Sequence, residues 1–134
     1  MPIVDINLTA IFTAALVNMA MGALWYSRYL FGSEWVRLVG KSMQELRKGS
    51  NRGYFIAAIG ALIMAYVFAH FIQYVGANNY MEGAIAGFWL WLGFVAVTSA
   101  TNSMFAGRPL GLWRIDASYF LVVMLINGAL LAAW

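Results

Sequence analysis

The chain has 134 residues, of which 63% are hydrophobic and 10% charged, whereas a soluble domain is about 25% charged; a soluble core of this length has no room for so much apolar surface. The absence of cysteine excludes disulfides, thiolate metal sites and thiol redox chemistry. The net charge of +3 does not point to nucleic acid, because the Lys and Arg residues lie between apolar runs, where the positive-inside rule places them.

These totals describe an all-α membrane protein. We expect one domain over residues 1–134, a four-helix transmembrane bundle with a basic cytoplasmic loop between helices 1 and 2. The opening MPIVDINLTA has no basic segment and carries Asp5, so the first helix is expected to be a permanent span and not a cleaved signal.

The first span is expected over residues 8–30. It is uncharged until Arg28, and Asn18 is its one strongly polar interior residue. Ala10, Ala14, Asn18 and Gly22 recur every four residues and share a narrow face, which favours close helix contact in lipid. The run from Gly22 to Trp35, GALWYSRYLFGSEW, marks where this helix reaches the membrane surface. Its aromatic side chains suit the headgroup level.

Residues 31–52 form the largest loop. A short interfacial helix is expected from Ser33, stopped by Gly40. Ser42 and Glu45 have capping-box spacing for a second one through Lys48. Arg37, Lys41, Arg47, Lys48 and Arg52 make the loop basic, either as a topology determinant or as a dock for anionic lipid or protein.

The second span is expected over residues 53–75. Gly53, Ala57, Ala61, Ala65 and Ala69 make a four-residue ladder of small side chains, read as a helix-packing interface. An uncharged turn, Gly76 to Met81, leads to the third span, residues 82–105. Gly83 and Gly87 open it with GxxxG spacing, a second packing interface. Thr98, Ser99, Thr101, Asn102 and Ser103 close it, and we expect them to point into protein. The fourth span is expected over residues 112–134, with Arg114 and Asp116 at its start and Asn127 inside. Asn18 and Asn127 each require a partner, most simply an interhelical hydrogen bond. Loops 1 and 3 carry the excess of Lys and Arg, so both should be cytoplasmic, with both termini outside.

The series Gly22-x-x-Trp25-Tyr26-Ser27, then Leu30-Phe31-Gly32-x-x-Trp35, resembles a family of small membrane proteins, domain of unknown function 1761. The resemblance continues through Gly87-Phe88, Trp91-Leu92-Gly93-Phe94, Thr101-Asn102, Phe105 and Arg108-Pro109-Leu110 to Tyr119. It implies a four-span protein of a prokaryotic cytoplasmic membrane and no particular activity. Arg28 departs from the pattern, which has proline after Trp-Tyr-Ser; a less kinked end to the first span should follow.

One polar cluster is expected at the cytoplasmic end: Trp25, Tyr26, Ser27, Arg28, Thr101, Asn102, Arg108, Arg114, Asp116 and Tyr119. It is either a set of hydrogen bonds and an Arg–Asp pair fastening loops to the bundle, or a pocket for an anionic headgroup or small polar ligand. No metal site and no cofactor is indicated. His70, the one histidine, is expected to be hydrogen-bonded between helices or wet at the interface; a proton-linked role with Glu82 and, weakest, a haem ligand are the alternatives. Catalytic motifs such as GxSxG, a phosphate loop or HExxH are absent. The expected function is therefore a non-enzymatic accessory protein or lipid-associated scaffold. Its partners would be membrane lipids, further copies in a homo-oligomer, or a larger membrane complex. The alternatives are a small oligomeric transporter or channel and, last, a membrane enzyme acting on a hydrophobic or lipid substrate.

Overall fold

Asn7 starts the first helix by accepting the Ala10 N–H on its side chain at 3.1 Å, which satisfies a donor the first turn leaves free. In the computed structural model, which describes residues 3–134, helix α1 then runs Leu8–Trp25. It stops short of the expected residue 30. The Ser27 hydroxyl takes the Leu24 carbonyl at 2.6 Å, a local bond that competes with helix continuation. Residues 26–31 then coil so that the Phe31 N–H reaches the Trp25 carbonyl at 3.0 Å.

Two short helices follow. Helix α2 runs Gly32–Val39 and ends at Gly40, whose φ of 75° closes it in the left-handed conformation. Helix α3, Met43–Lys48, is capped by Ser42, which accepts the Glu45 N–H at 3.2 Å. Helix α4 spans Ser50–Tyr74. After the turn at Gly76, Asn79 caps α5, Tyr80–Leu90. A π-helical segment, Trp91–Ala96, joins α5 to α6, Val97–Phe105. Helix α7 runs Leu110–Ala133.

Four rods, Leu8–Trp25, Ser50–Tyr74, Tyr80–Phe105 and Leu110–Ala133, are long and apolar enough to cross a bilayer. Their outward faces carry large apolar side chains, among them Leu16, Phe55, Ile63, Val67 and Phe94. This is a membrane protein whose surface is matched to lipid. All eight Lys and Arg lie toward the end where α1 finishes and α4 and α7 begin, here the basic end. Asp5, His70 and Glu82 lie toward the other, the acidic end.

Helix α7 is the hub and touches α1, α4 and α5. Its closest partner is α5, and the approach is backbone to backbone. A Cβ on Gly83 would collide with the Gly128 carbonyl, one on Gly87 with the Met124 carbonyl, and one on Gly128 with the Gly83 carbonyl. Helices α1 and α4 meet through Ile11, Ala14, Ala65 and Ala69. Phe68 and Ile72 of α4 pack on Met124 of α7.

The small-residue ladder of α4 is split. Ala61, Ala65 and Ala69 are buried, whereas Gly53 and Ala57 are exposed. Two causes combine. Each four-residue step over-rotates by about 40°, so Gly53 lies about 160° around the helix from Ala69. In addition, α1 ends too soon. Asn18 is level with Met64, its hydrogen-bond partner at 3.6 Å, so by equal rise Trp25 is level with Ala57 and nothing of α1 reaches Gly53.

The polar end of the third span also differs from expectation. Thr98, Thr101 and Asn102 are exposed, and only Ser99 and Ser103 are half-buried. Their hydroxyls serve their own rod. Thr98 Oγ1 donates to the Phe94 carbonyl at 2.6 Å, Ser99 Oγ to Val95 at 2.6 Å and Thr101 Oγ1 to Val97 at 2.9 Å. The π-helical segment loosens the ladder of backbone bonds here, and these hydroxyls occupy carbonyls that lipid cannot satisfy.

Replacing Gly87 by alanine places a methyl group against backbone that has no rotamer by which to yield. Gly87→Ala should destabilise the bundle by roughly 1–3 kcal/mol, whereas Gly60→Ala, with open space around the new Cβ, should cost nothing measurable. Thermal unfolding of the two variants in detergent checks the contrast.

Candidate functional site

At the basic end, α7 presents three successive acceptors and each receives an aromatic donor. The Trp25 indole N–H donates to the Ile115 carbonyl at 3.0 Å, the Tyr26 hydroxyl to Asp116 Oδ1 at 2.5 Å and the Trp91 indole N–H to the Ala117 carbonyl at 2.8 Å. The end of α1 and the middle of the third span thus grip α7 from two sides. Each donor is a ring whose apolar body suits lipid depth and whose polar tip needs a partner.

Tyr119 completes the clasp one turn deeper. Its hydroxyl lies 2.8 Å from the Asn18 carbonyl and 2.5 Å from Asn18 Oδ1, and its single proton is shared between them. Gly22 makes room for it, since a Cβ there would stand 3.1 Å from the Tyr119 hydroxyl. Gly32 plays the same part for the turn, because a Cβ would overlap the Tyr26 and Ser27 carbonyls. Farther in, Asn127 Nδ2 donates to the Ala14 carbonyl at 3.1 Å. Each interior asparagine therefore makes an interhelical hydrogen bond. Asn127 Oδ1 is buried and has no partner among the described residues.

Aromatic rings fill the space around these groups. Ring centroids lie 4.9 Å apart for Trp25 and Phe31, 5.8 Å for Tyr26 and Trp35, and 5.4 Å for Tyr26 and Tyr119. The last two pairs meet edge to face, a favourable arrangement.

Of the ten residues expected to share this end, four are joined: Trp25, Tyr26, Asp116 and Tyr119. Ser27 bonds only its own helix end. Arg28 is exposed and lies over the Tyr29 ring, 5.0 Å from its centroid. Thr101, Asn102, Arg108 and Arg114 are exposed. The expected Arg–Asp pair is replaced by the tyrosine–aspartate bond. Arg114 stands two residues from Asp116 on α7, and residues so spaced face different ways. The ion pair among the described residues is Arg37 with Glu34 on α2. Hydrogen bonding to Glu34, and its charge, raise the Arg37 pKa above the ordinary guanidinium value.

Trp91 joins the clasp although it was not among the ten residues expected at this end. The available signal was its N–H, which must find an acceptor at membrane depth. His70 uses Nδ1 on the Tyr66 carbonyl at 2.8 Å and stands between the Tyr66 and Tyr74 rings.

The basic-end cluster thus consists of groups bonded to one another and packed with rings, an arrangement that fastens helices. Two clefts, of about 480 and 440 Å³, lie instead at the acidic end, on either side of the turn at Gly76. A family described as "Protein of unknown function (DUF1761)" matches residues 9–132. Comparison with curated proteins and with solved structures finds no match.

Tyr119→Phe leaves the buried Asn18 Oδ1 without its donor and should cost roughly 1–3 kcal/mol. Thr101→Ala and Asn102→Ala remove exposed groups and should stay within about 0.5 kcal/mol of the parent. Unfolding in a denaturing detergent titration checks both outcomes.

Proposed function

We propose that this chain, which belongs to the DUF1761 family, is a non-enzymatic membrane interaction protein that docks through the basic-end half of α4. One observation carries the reading. Gly53, Ala57 and Gly60 line a single face of α4 that no described residue covers. A Cβ built at Gly53 or Gly60 meets no atom within 4 Å, and Ala57 is exposed. The glycines at Gly83, Gly87 and Gly128 are used up by the α5–α7 crossing. In lipid, helices associate by close backbone approach, and small side chains permit it.

The face suits a second copy of this chain. Two copies inserted in the same orientation bring their α4 helices together as parallel rods about an axis normal to the membrane, with the same patch on each. Another subunit of a membrane complex is the alternative occupant. The neighbouring loop supports a role at the surface. Lys41, Arg47, Lys48 and Arg52 project near the start of α4, where anionic headgroups are attracted to Lys and Arg. By the positive-inside rule the basic end faces the cytoplasm of a prokaryotic cell, with loops 1 and 3 on that side and both termini outside.

The cysteine-free chain makes a direct test simple. A single Ala57→Cys variant, oxidised in native membranes, should form a covalent dimer, and adding Gly60→Ile should abolish it without altering thermal unfolding. A cysteine at outward-facing Ile63 should not cross-link. Equal cross-linking at both positions, or at neither, rules out a homodimer on this face.

A further inference from the structure

The acidic end holds a cleft that the α4 interface does not involve. It measures about 480 Å³ and is lined by Asp5, Asn7, Gln73, Asn78, Leu131 and Trp134 among others, within the size range of small-molecule sites. Most of its accessible lining is polar, and the buried Ala10 of α1 and Ala69 and Ile72 of α4 close its base. Its rim is polar, and most rim groups are already engaged. Asn7 Oδ1 accepts the Ala10 N–H, and Asn78 Nδ2 donates to the Gly76 carbonyl at 2.8 Å.

Gln73 spends both ends of its amide on the Asp5 backbone. Its Oε1 accepts the Asp5 N–H at 2.9 Å, and its Nε2 donates to the Asp5 carbonyl at 2.5 Å. This two-way pairing fixes the backbone of Asp5 at the cleft while leaving the side chain out of the bond. Neither carboxylate oxygen of Asp5 has a hydrogen-bond or ion-pair partner among the described residues. Among the described residues, the rim therefore offers one unspent anion, in the cleft that Trp134 also lines. No Lys or Arg is available to neutralise it, since all eight lie toward the opposite end. Glu82, in the adjoining cleft across Gly76, adds a second negative charge. No group of three or more His, Asp or Glu able to hold a metal ion exists among the described residues.

We propose that this cleft binds an ammonium group carried on a small apolar body. The Asp5 carboxylate supplies the counter-charge, the Trp134 face a cation–π contact, and the half-buried Leu131 an apolar contact. A free amine and the amine headgroup of a phospholipid share this chemistry.

The test uses the full chain in dodecyl maltoside micelles, which carry neither charge nor amine, with benzyltrimethylammonium as probe in isothermal titration calorimetry. Saturable one-site binding is expected. Asp5→Asn should weaken it about fivefold or more and Trp134→Leu about threefold, with circular dichroism and elution volume unchanged. Benzyl alcohol, which keeps the ring and loses the charge, should not bind. Added phosphatidylethanolamine separates the two sources: competition with the probe identifies a lipid headgroup, and none identifies a free amine. Absence of saturable binding, or equal binding by Asp5→Asn, would overturn the proposal.

Discussion

In a bilayer, helices gain nothing by burying one leucine against another, because lipid tails are as apolar as the side chains they replace. The fold depends on what remains, namely backbone approach and hydrogen bonds. Helix α7 holds both. On one side Gly83 and Gly87 bring α5 against the carbonyls of Gly128 and Met124. On another, Trp25, Tyr26 and Trp91 deliver three donors to three successive residues of α7. Water would compete for these acceptors in a soluble protein. At membrane depth an unmade bond costs several kcal/mol, so each donor is tied to its place.

The aromatic clasp accounts for a concentration of polar groups that otherwise resembles a binding site. Asp116 is held by a tyrosine hydroxyl, not an arginine, and rings fill the space around it. A cluster so saturated has few groups left for a ligand. The acidic end has the opposite character. Its turn at Gly76 separates two clefts, and Asp5 is held by its backbone while its carboxylate has no partner among the described residues. The distribution of charge sharpens this difference, with every lysine and arginine toward one end.

Helix α4 links the two ends and is used unequally along its length. Its acidic-end half is core, through Ala65, Phe68, Ala69 and Ile72. Its basic-end half rises past the end of α1 and keeps a smooth, uncovered face at Gly53, Ala57 and Gly60. A small-residue ladder is thus divided between intramolecular packing and an open surface by the geometry of the helix itself.

Much of this was legible in the residues. Apolar runs gave the helical membrane class, Gly40 and the Ser42–Glu45 spacing gave the short loop helices, and the family motifs from Gly22 to Tyr119 gave the family. These signals are local: composition, capping and helical spacing act within a few turns of chain. The partners of the polar groups were not legible. Trp25 reaches Ile115, Tyr26 reaches Asp116 and Tyr119 reaches Asn18 across long stretches of chain, and such pairs depend on crossing angles and relative depth. The same limit applied to Gly53 and Ala57. A four-residue ladder looks continuous in sequence, but its drift around the helix, and the point at which α1 ends, decide which of its steps are covered. Local spacing determined which helices form; only their packing decided which faces are spent and which stay open.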